Sequence, residues 1–176
     1  MKVDLYIQGK TKNPARQKKA QAIWLISCAL KDGTVEKRDG AVILNDATTK
    51  RAVLYALSQA LQKFNKAAVI KIYISDDYVR AVFLNSWISR WKINSWHKIR
   101  LNGEIKHLDL WKQIAEQLSN HAVTFAKGEE LKNKTLEEME RRLNFGWERI
   151  KKRWNLCLLR SDKSNRDSWR SHSKRT

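Results

Sequence analysis

This chain of 176 residues is short of acid, short of cysteine, nearly without proline, and has no long apolar run. Its two cysteines, Cys28 and Cys157, lie in apolar runs with no second Cys or His at metal-ligand spacing, which argues against a disulfide framework or a structural zinc site. No stretch of about 18 apolar residues occurs, and Met1 opens directly into a strand-like run, so neither a membrane span nor a signal peptide is expected. The expected setting is a reducing, soluble one, cytoplasmic or nucleoid-associated, with no membrane partner. The single proline, Pro14, is confined to a polar, basic loop between Lys10 and Lys19.

The shortage of acid carries the most information. Eighteen Asp and Glu face 36 Lys and Arg, a formal net charge of +18, while 42% of residues are hydrophobic, enough for a packed core. Basic side chains gain by displacing the counterions condensed on a polyanion, so nucleic acid is the first expected partner. Residues 141–176 hold 12 basic and 3 acidic side chains, and the preceding 140 hold 24 and 15. Each part is therefore basic on its own account.

Hydrophobic patterning predicts a mixed α/β domain. Val3 to Gln8 alternates as a strand, Ala22 to Leu30 is an apolar run, and Asp32-Gly33 signals a hairpin into a third strand through Val42, Ile43 and Leu44. Asp46 and Thr48 offer helix N-caps, and Val53, Leu57, Ala60, Leu61 and Phe64 recur at helical spacing behind them. Ala68 to Ile74 reads as a buried strand parallel to its predecessor, closed by Ser75-Asp76-Asp77. Helical stretches follow at about Tyr78 to Lys92 and Leu108 to Leu118, then a short strand at Ala122 to Ala126. From about Lys132 a long helix is expected, its buried stripe marked by Leu136, Met139, Leu143, Trp147, Ile150 and Trp154. The order β-β-β-α-β-α-α-α-β-α gives a five-stranded sheet, three antiparallel strands and then parallel ones, flanked by helices. Three segments are expected: residues 1–140 as the domain, 141–160 as a basic helical extension, and 161–176 as a disordered Ser/Arg/Lys-rich tail.

Six local patterns resemble the ribonuclease H family, in its bacterial ribonuclease HI-like form, in the order that fold requires. Gln8-Gly9-Lys10 followed by Asn13-Pro14 is similar to the family's Asp-Gly-Ser and Asn-Pro. Thr48-Thr49-Lys50-Arg51 is similar to its Thr-Thr-Asn-Asn-Arg, and Ser75-Asp76-Asp77-Tyr78-Val79-Arg80 to its Thr-Asp-Ser-Gln-Tyr-Val. Trp87 to Lys92 with Trp96-His97-Lys98 resembles the basic, Trp-rich handle; Leu108-Asp109-Leu110-Trp111 matches Asp-Leu-Trp, and Phe125-Ala126-Lys127-Gly128 resembles Val-Lys-Gly-His. The resemblance implies a ribonuclease H-like fold and, in active members, hydrolysis of the RNA strand of an RNA–DNA hybrid by two magnesium ions held on four carboxylates.

Transferred residue by residue, that carboxylate set is broken. Gln8 stands at the first-strand Asp and Val53 at the helix Glu, with no acid between Asp46 and Asp76 to replace it. Asp76 survives as a weak metal and catalytic candidate, the fourth carboxylate would be Glu137 or Glu138, and Glu129 replaces the loop His. Two hard cations roughly 4 Å apart need several anionic oxygens, and the bridging one is absent. Asp76 equally suits a plain helix cap, and Glu137 and Glu138 an ordinary solvated helix face.

Binding residues transfer better. The handle implies nucleic-acid contact by Arg90, Trp91, Lys92, Trp96 and Lys98, and the loops imply it for Lys10, Asn13, Thr49 and Lys50. Trp87 is expected to pack the handle rather than touch a ligand. Three functions follow as expectations: a non-catalytic binder of RNA–DNA hybrid or duplex RNA or DNA that needs no cofactor, a magnesium-dependent ribonuclease with an altered site, or a scaffold subunit with protein partners in a nucleoprotein complex.

Overall fold

The structure, a computed structural model, describes residues 2–12, 19–30, 32–98 and 104–144. The chain divides after Glu140 into two compact units. The predicted extension and tail lie outside the described residues from position 145 onward.

The first unit is built on one mixed sheet of order β3-β2-β1-β4-β5. β1 (Lys2–Lys12), β2 (Lys19–Ala29) and β3 (Val35–Leu44) form an antiparallel meander, while β4 (Val69–Ile74) pairs parallel with β1, and β5 (Ala122–Phe125) parallel with β4. Strand alternation assigns the faces. Val3, Leu5 and Ile7 of β1 and Ala20, Ala22, Trp24, Ile26 and Cys28 of β2 are buried against the helical layer. In the β2–β3 turn Gly33 adopts φ 83°, and the Thr34 backbone N–H and hydroxyl both donate to Asp32 Oδ1 at 2.9 and 2.6 Å.

Parallel pairing of β1 and β4 demands a crossover, supplied by α1 (Thr49–Leu61), whose first turn is capped by Thr48. This helix is buried around most of its girth: Ala52, Val53, Leu54, Ala56, Leu57, Ala60 and Leu61 lie in the core between sheet and α4 (Leu108–Leu118). It comes down hard on β1. A Cβ placed on Gly9 would lie 2.3 Å from Val53 Cγ2 and 3.0 Å from Thr49 Cγ2, so glycine there is what permits the approach. Gly40 likewise yields to the Trp24 indole, 2.5 Å from where its Cβ would be.

The helical stretch from Tyr78 to Lys92 divides into α2 (Asp77–Leu84) and α3 (Trp87–Ile93), which with α4 make the three helices of the expected order. The break is conformational: Ser86 lies at φ 54°, a left-handed value that no helix interior accepts. A short 3₁₀ turn at Gly128–Leu131 follows β5, and residues 134–144 are helical, two positions later than expected.

Candidate functional site

The carboxyl ends of β1 and β4 lie side by side, because Ile7 pairs with Ile74 and the Ser75 N–H donates to the Ile7 carbonyl at 3.2 Å. Strand ends of this kind are where an open α/β sheet presents its ligand-facing groups. A cavity of about 390 Å³ opens there, lined by Gln8, Ser75, Asp77, Arg80, Leu131, Lys132, Leu136, Glu137 and Glu140. Gln8 and Glu137 are thus brought together. Arg80 and Glu140 join them unforeseen, although Arg80 already stood in the matched Tyr-Val-Arg run.

Chemistry at this cavity is set by the side chains that stand at the expected carboxylate positions. Gln8 is buried and carries a neutral amide. Val53 is 0% exposed and pressed against Gly9, so the helix position that would carry an acid is a piece of hydrophobic core. Asp76 is spent on structure: its Oδ1 accepts the Val79 N–H at 2.9 Å as the N-cap of α2. Asp77 pairs with Arg80, whose Nη1 also donates to the Ile74 carbonyl at 3.0 Å. Glu129 pairs with Lys132 at 2.8 Å, both side chains well exposed. Among the described residues no cluster of three His, Cys, Asp or Glu side chains is arranged to hold a metal ion. The four expected positions offer a neutral amide at Gln8, a valine at Val53, the capping carboxylate of Asp76 and one carboxylate in the cavity, Glu137, where two hard cations need several shared anionic oxygens, so these residues do not fit a magnesium pair.

The second group of residues forms the handle and the mouth of α1. Lys50 is exposed, with its ammonium 4.4 Å from the Tyr78 ring centre, and Thr49 is half-buried in the first turn of α1. Arg90 and Lys92 of α3 are exposed, and Lys98 is partly exposed. Trp96 is half-buried with Lys112 5.7 Å above its ring. Trp91 differs from its expected role: at 7% exposure it is core, edge-on to Trp111 at 5.7 Å, and has no face to offer a ligand. Trp87 packs between Tyr78 and Trp91, with ring centres 6.2 and 6.3 Å away. Lys10 lies partly exposed on β1, two positions beyond Gln8, whereas Asn13 lies outside the described residues.

Sequence reasoning passed over a polar cluster joining the starts of α1 and α4. Arg51 reaches Asp109 with Nη2–Oδ2 at 3.0 Å, and His107 sits between Thr48 Oγ1 and Arg51 Nη1, each at 3.4 Å. A guanidinium only donates, so His107 Nδ1 accepts from Arg51 and its Nε2–H donates to Thr48. Burial, then the Arg51 cation, hold the imidazole below its ordinary value of 6.5. Burial raises the Asp109 carboxyl, but its bonds with Arg51 and the Leu110 N–H outweigh that and lower it overall. The signal was present in Lys106-His107 immediately before the matched Leu-Asp-Leu-Trp.

A mixed sheet of this order, with a helical crossover after the third strand and a polar cavity at the ends of β1 and β4, defines an RNase H-like α/β protein. The family model for RNase H matches residues 4–143, and the chain belongs to that family. Among curated relatives, Ribonuclease H of Chlorobium luteolum is 35% identical over 80 residues, covering 46% of this chain and 54% of the relative. Ribonuclease H of Francisella philomiragia is 30% identical over 106 residues, covering 53% and 68%. The chain thus spans little more than half the length of the first of these. Solved structures share the fold: LC9-RNase H1, described as a type 1 RNase H with the type 2 active-site motif, superposes with a TM-score of 0.62 at 21% identity, over 70% of this chain and 61% of that one. The PFV RNase H domain does so at 0.59 and 19%, over 78% and 90%.

Proposed function

We propose that this protein binds RNA–DNA hybrid or another nucleic-acid duplex by backbone and shape, and does not cleave it. The observation that carries the reading is Val53, fully buried against Gly9 at the position where the family pattern has a metal-ligating Glu. Gln8 beside it supports the same conclusion. Binding is assigned to Lys10, Thr49 and Lys50 along the mouth of α1, and to Arg90, Lys92, Trp96 and Lys98 of the handle. These groups reach phosphates and 2′-hydroxyls without reading base identity. Lys50 stands where the family pattern has an asparagine, which replaces a directional bond with a point charge. No metal is required for such binding.

The test pairs a cleavage assay on a labelled RNA–DNA hybrid, in magnesium and in manganese, with binding measured at two salt concentrations and with a chelator. The expected result is salt-sensitive, chelator-insensitive binding with no cleavage. Metal-dependent cleavage abolished by Asp76→Asn would overturn the reading in favour of an altered-site ribonuclease. Absence of both cleavage and binding would overturn it in favour of a scaffold subunit.

A further inference from the structure

At the opposite end of the sheet, where β1 begins, the helical layer stops short. α1 ends at Leu61, and the loop after it, through Lys63 to Lys66, stands away from the start of β3. A cavity of about 300 Å³ lies between them, at the lower end of the range for small-ligand sites. Its floor is apolar, formed by Val3, Ile26 and Cys28 at 3, 7 and 6% exposure, with Phe64 as a wall. Cys28 adds no polar group to that floor, since its thiol is engaged with the Lys2 carbonyl at 3.5 Å.

The rim has a different character. Arg38, Lys63 and Lys66 converge on the opening against one acid, Glu36. All four are exposed, and none of the three cations forms an ion pair with a described residue. Elsewhere on this domain cations that meet an acid pair with it, as Arg51 does with Asp109 and Lys71 with Glu130. Three cations against one acid leave the rim of an apolar hollow net positive, and an anion seated among them relieves their mutual repulsion. An apolar body below and a negative head above is the shape and charge that this cavity complements.

We infer that the cavity between β3 and the end of α1 is a binding site for a small amphiphilic anion, an aliphatic or aromatic carboxylate whose body fills the hollow over Val3 and Ile26 and whose head meets Arg38, Lys63 and Lys66. The site is separate from the nucleic-acid surface, because Val3 and Gln8 stand five residues apart on β1, roughly 17 Å of extended chain.

The experiment uses the full chain with octanoate as the probe and octanamide as its uncharged counterpart, read by methyl resonances of Val3 and Ile26. Octanoate is expected to shift both methyl sets saturably, with octanamide about tenfold weaker, the factor that corresponds to removing one charge-assisted hydrogen bond. The double variant Lys63→Glu/Lys66→Glu, altered only at exposed loop positions, should weaken octanoate by at least about tenfold with an unchanged thermal midpoint. Unmoved Val3 and Ile26 methyls, equal binding of octanoate and octanamide, or full binding by the double variant would each overturn the inference. So would displacement of octanoate by a short DNA duplex, which would make the rim part of the polyanion surface.

Discussion

At the scale of single residues, the proposed distinction between binding and cutting rests on two side chains, Gln8 and Val53, which differ in how readily an acid could be placed at them. Gln8→Asp changes one buried amide into a shorter carboxylate at the edge of a polar cavity that contains Arg80. Val53→Glu would place a longer, charged side chain where a valine already meets Gly9. Burying a carboxylate without a partner costs about 3–5 kcal/mol, a large share of a domain's total stability. Val53→Glu should therefore lower the urea midpoint sharply, and the Gln8→Asp/Val53→Glu double variant should show no magnesium-dependent cleavage. His107 gives a second test at this scale. Its folded value lies below 6.5, so on acidification the folded state takes up its proton later than the unfolded chain does. The stability held by the neutral ring is complete above about pH 6.5 and is lost as pH falls through the lower folded value. Protonation also puts a hydrogen on Nδ1, the atom that accepts from Arg51. Urea midpoints at pH 7.5 and 5.0 should fall further in wild type than in His107→Asn, which has no proton to gain.

At the scale of elements, the handle separates into a buried side that folds and an exposed side that can bind. Phe125, Phe83, Trp111, Trp91 and Trp87 form a continuous run of ring contacts from β5 to α3, with centre distances between 4.3 and 6.3 Å. Trp91→Ala interrupts that run and should cost about 3–5 kcal/mol of stability, read by chemical denaturation. Arg90→Ala/Lys92→Ala touches only exposed positions and should leave stability within about 0.5 kcal/mol while weakening duplex binding. Its salt slope should fall by about two, one for each phosphate no longer neutralised. The same division explains what was legible in the sequence. The succession of strands along the chain, α1 and α4 follow from periodicity and turn chemistry, because Val3, Leu5 and Ile7, or Leu57 and Leu61, each mark a face without competition. The position of the break between α2 and α3 is not legible, since apolar spacing runs on from Val82 and Phe83 into Trp87 while the turn rests on a left-handed Ser86. Trp91 was misread for a related reason. A tryptophan among lysines and arginines has the same spelling whether its ring faces the core or the solvent, and only Trp111 across the interface decides it. That Gln8 and Val53 carry no acid is read directly from the sequence, because the absence of a functional group needs no geometry to be noticed.

At the scale of the whole molecule, the surplus of +18 is distributed in a way that predicts where affinity resides. The Ser/Arg-rich tail draws the eye, yet residues 161–176 hold five basic and two acidic side chains, a net of only +3. The chain through Arg160 therefore retains +15, of which the first 140 residues supply +9. Backbone recognition by counterion release depends on how many phosphates are neutralised, with log affinity falling by about 0.9 per contact for each decade of salt. If the domain and its handle make the contacts assigned to them, about six phosphates are engaged, and affinity should fall by roughly 10³ between 50 and 200 mM salt. A chain ended after Arg160 should keep most of that slope, losing a minority of it in proportion to the charge removed. A truncated chain whose slope dropped by more than half would transfer the grip to the tail and reduce the RNase H-like domain to its carrier. Retention of the slope, with Arg90→Ala/Lys92→Ala subtracting from it as it does in the full chain, would place recognition on the fold itself.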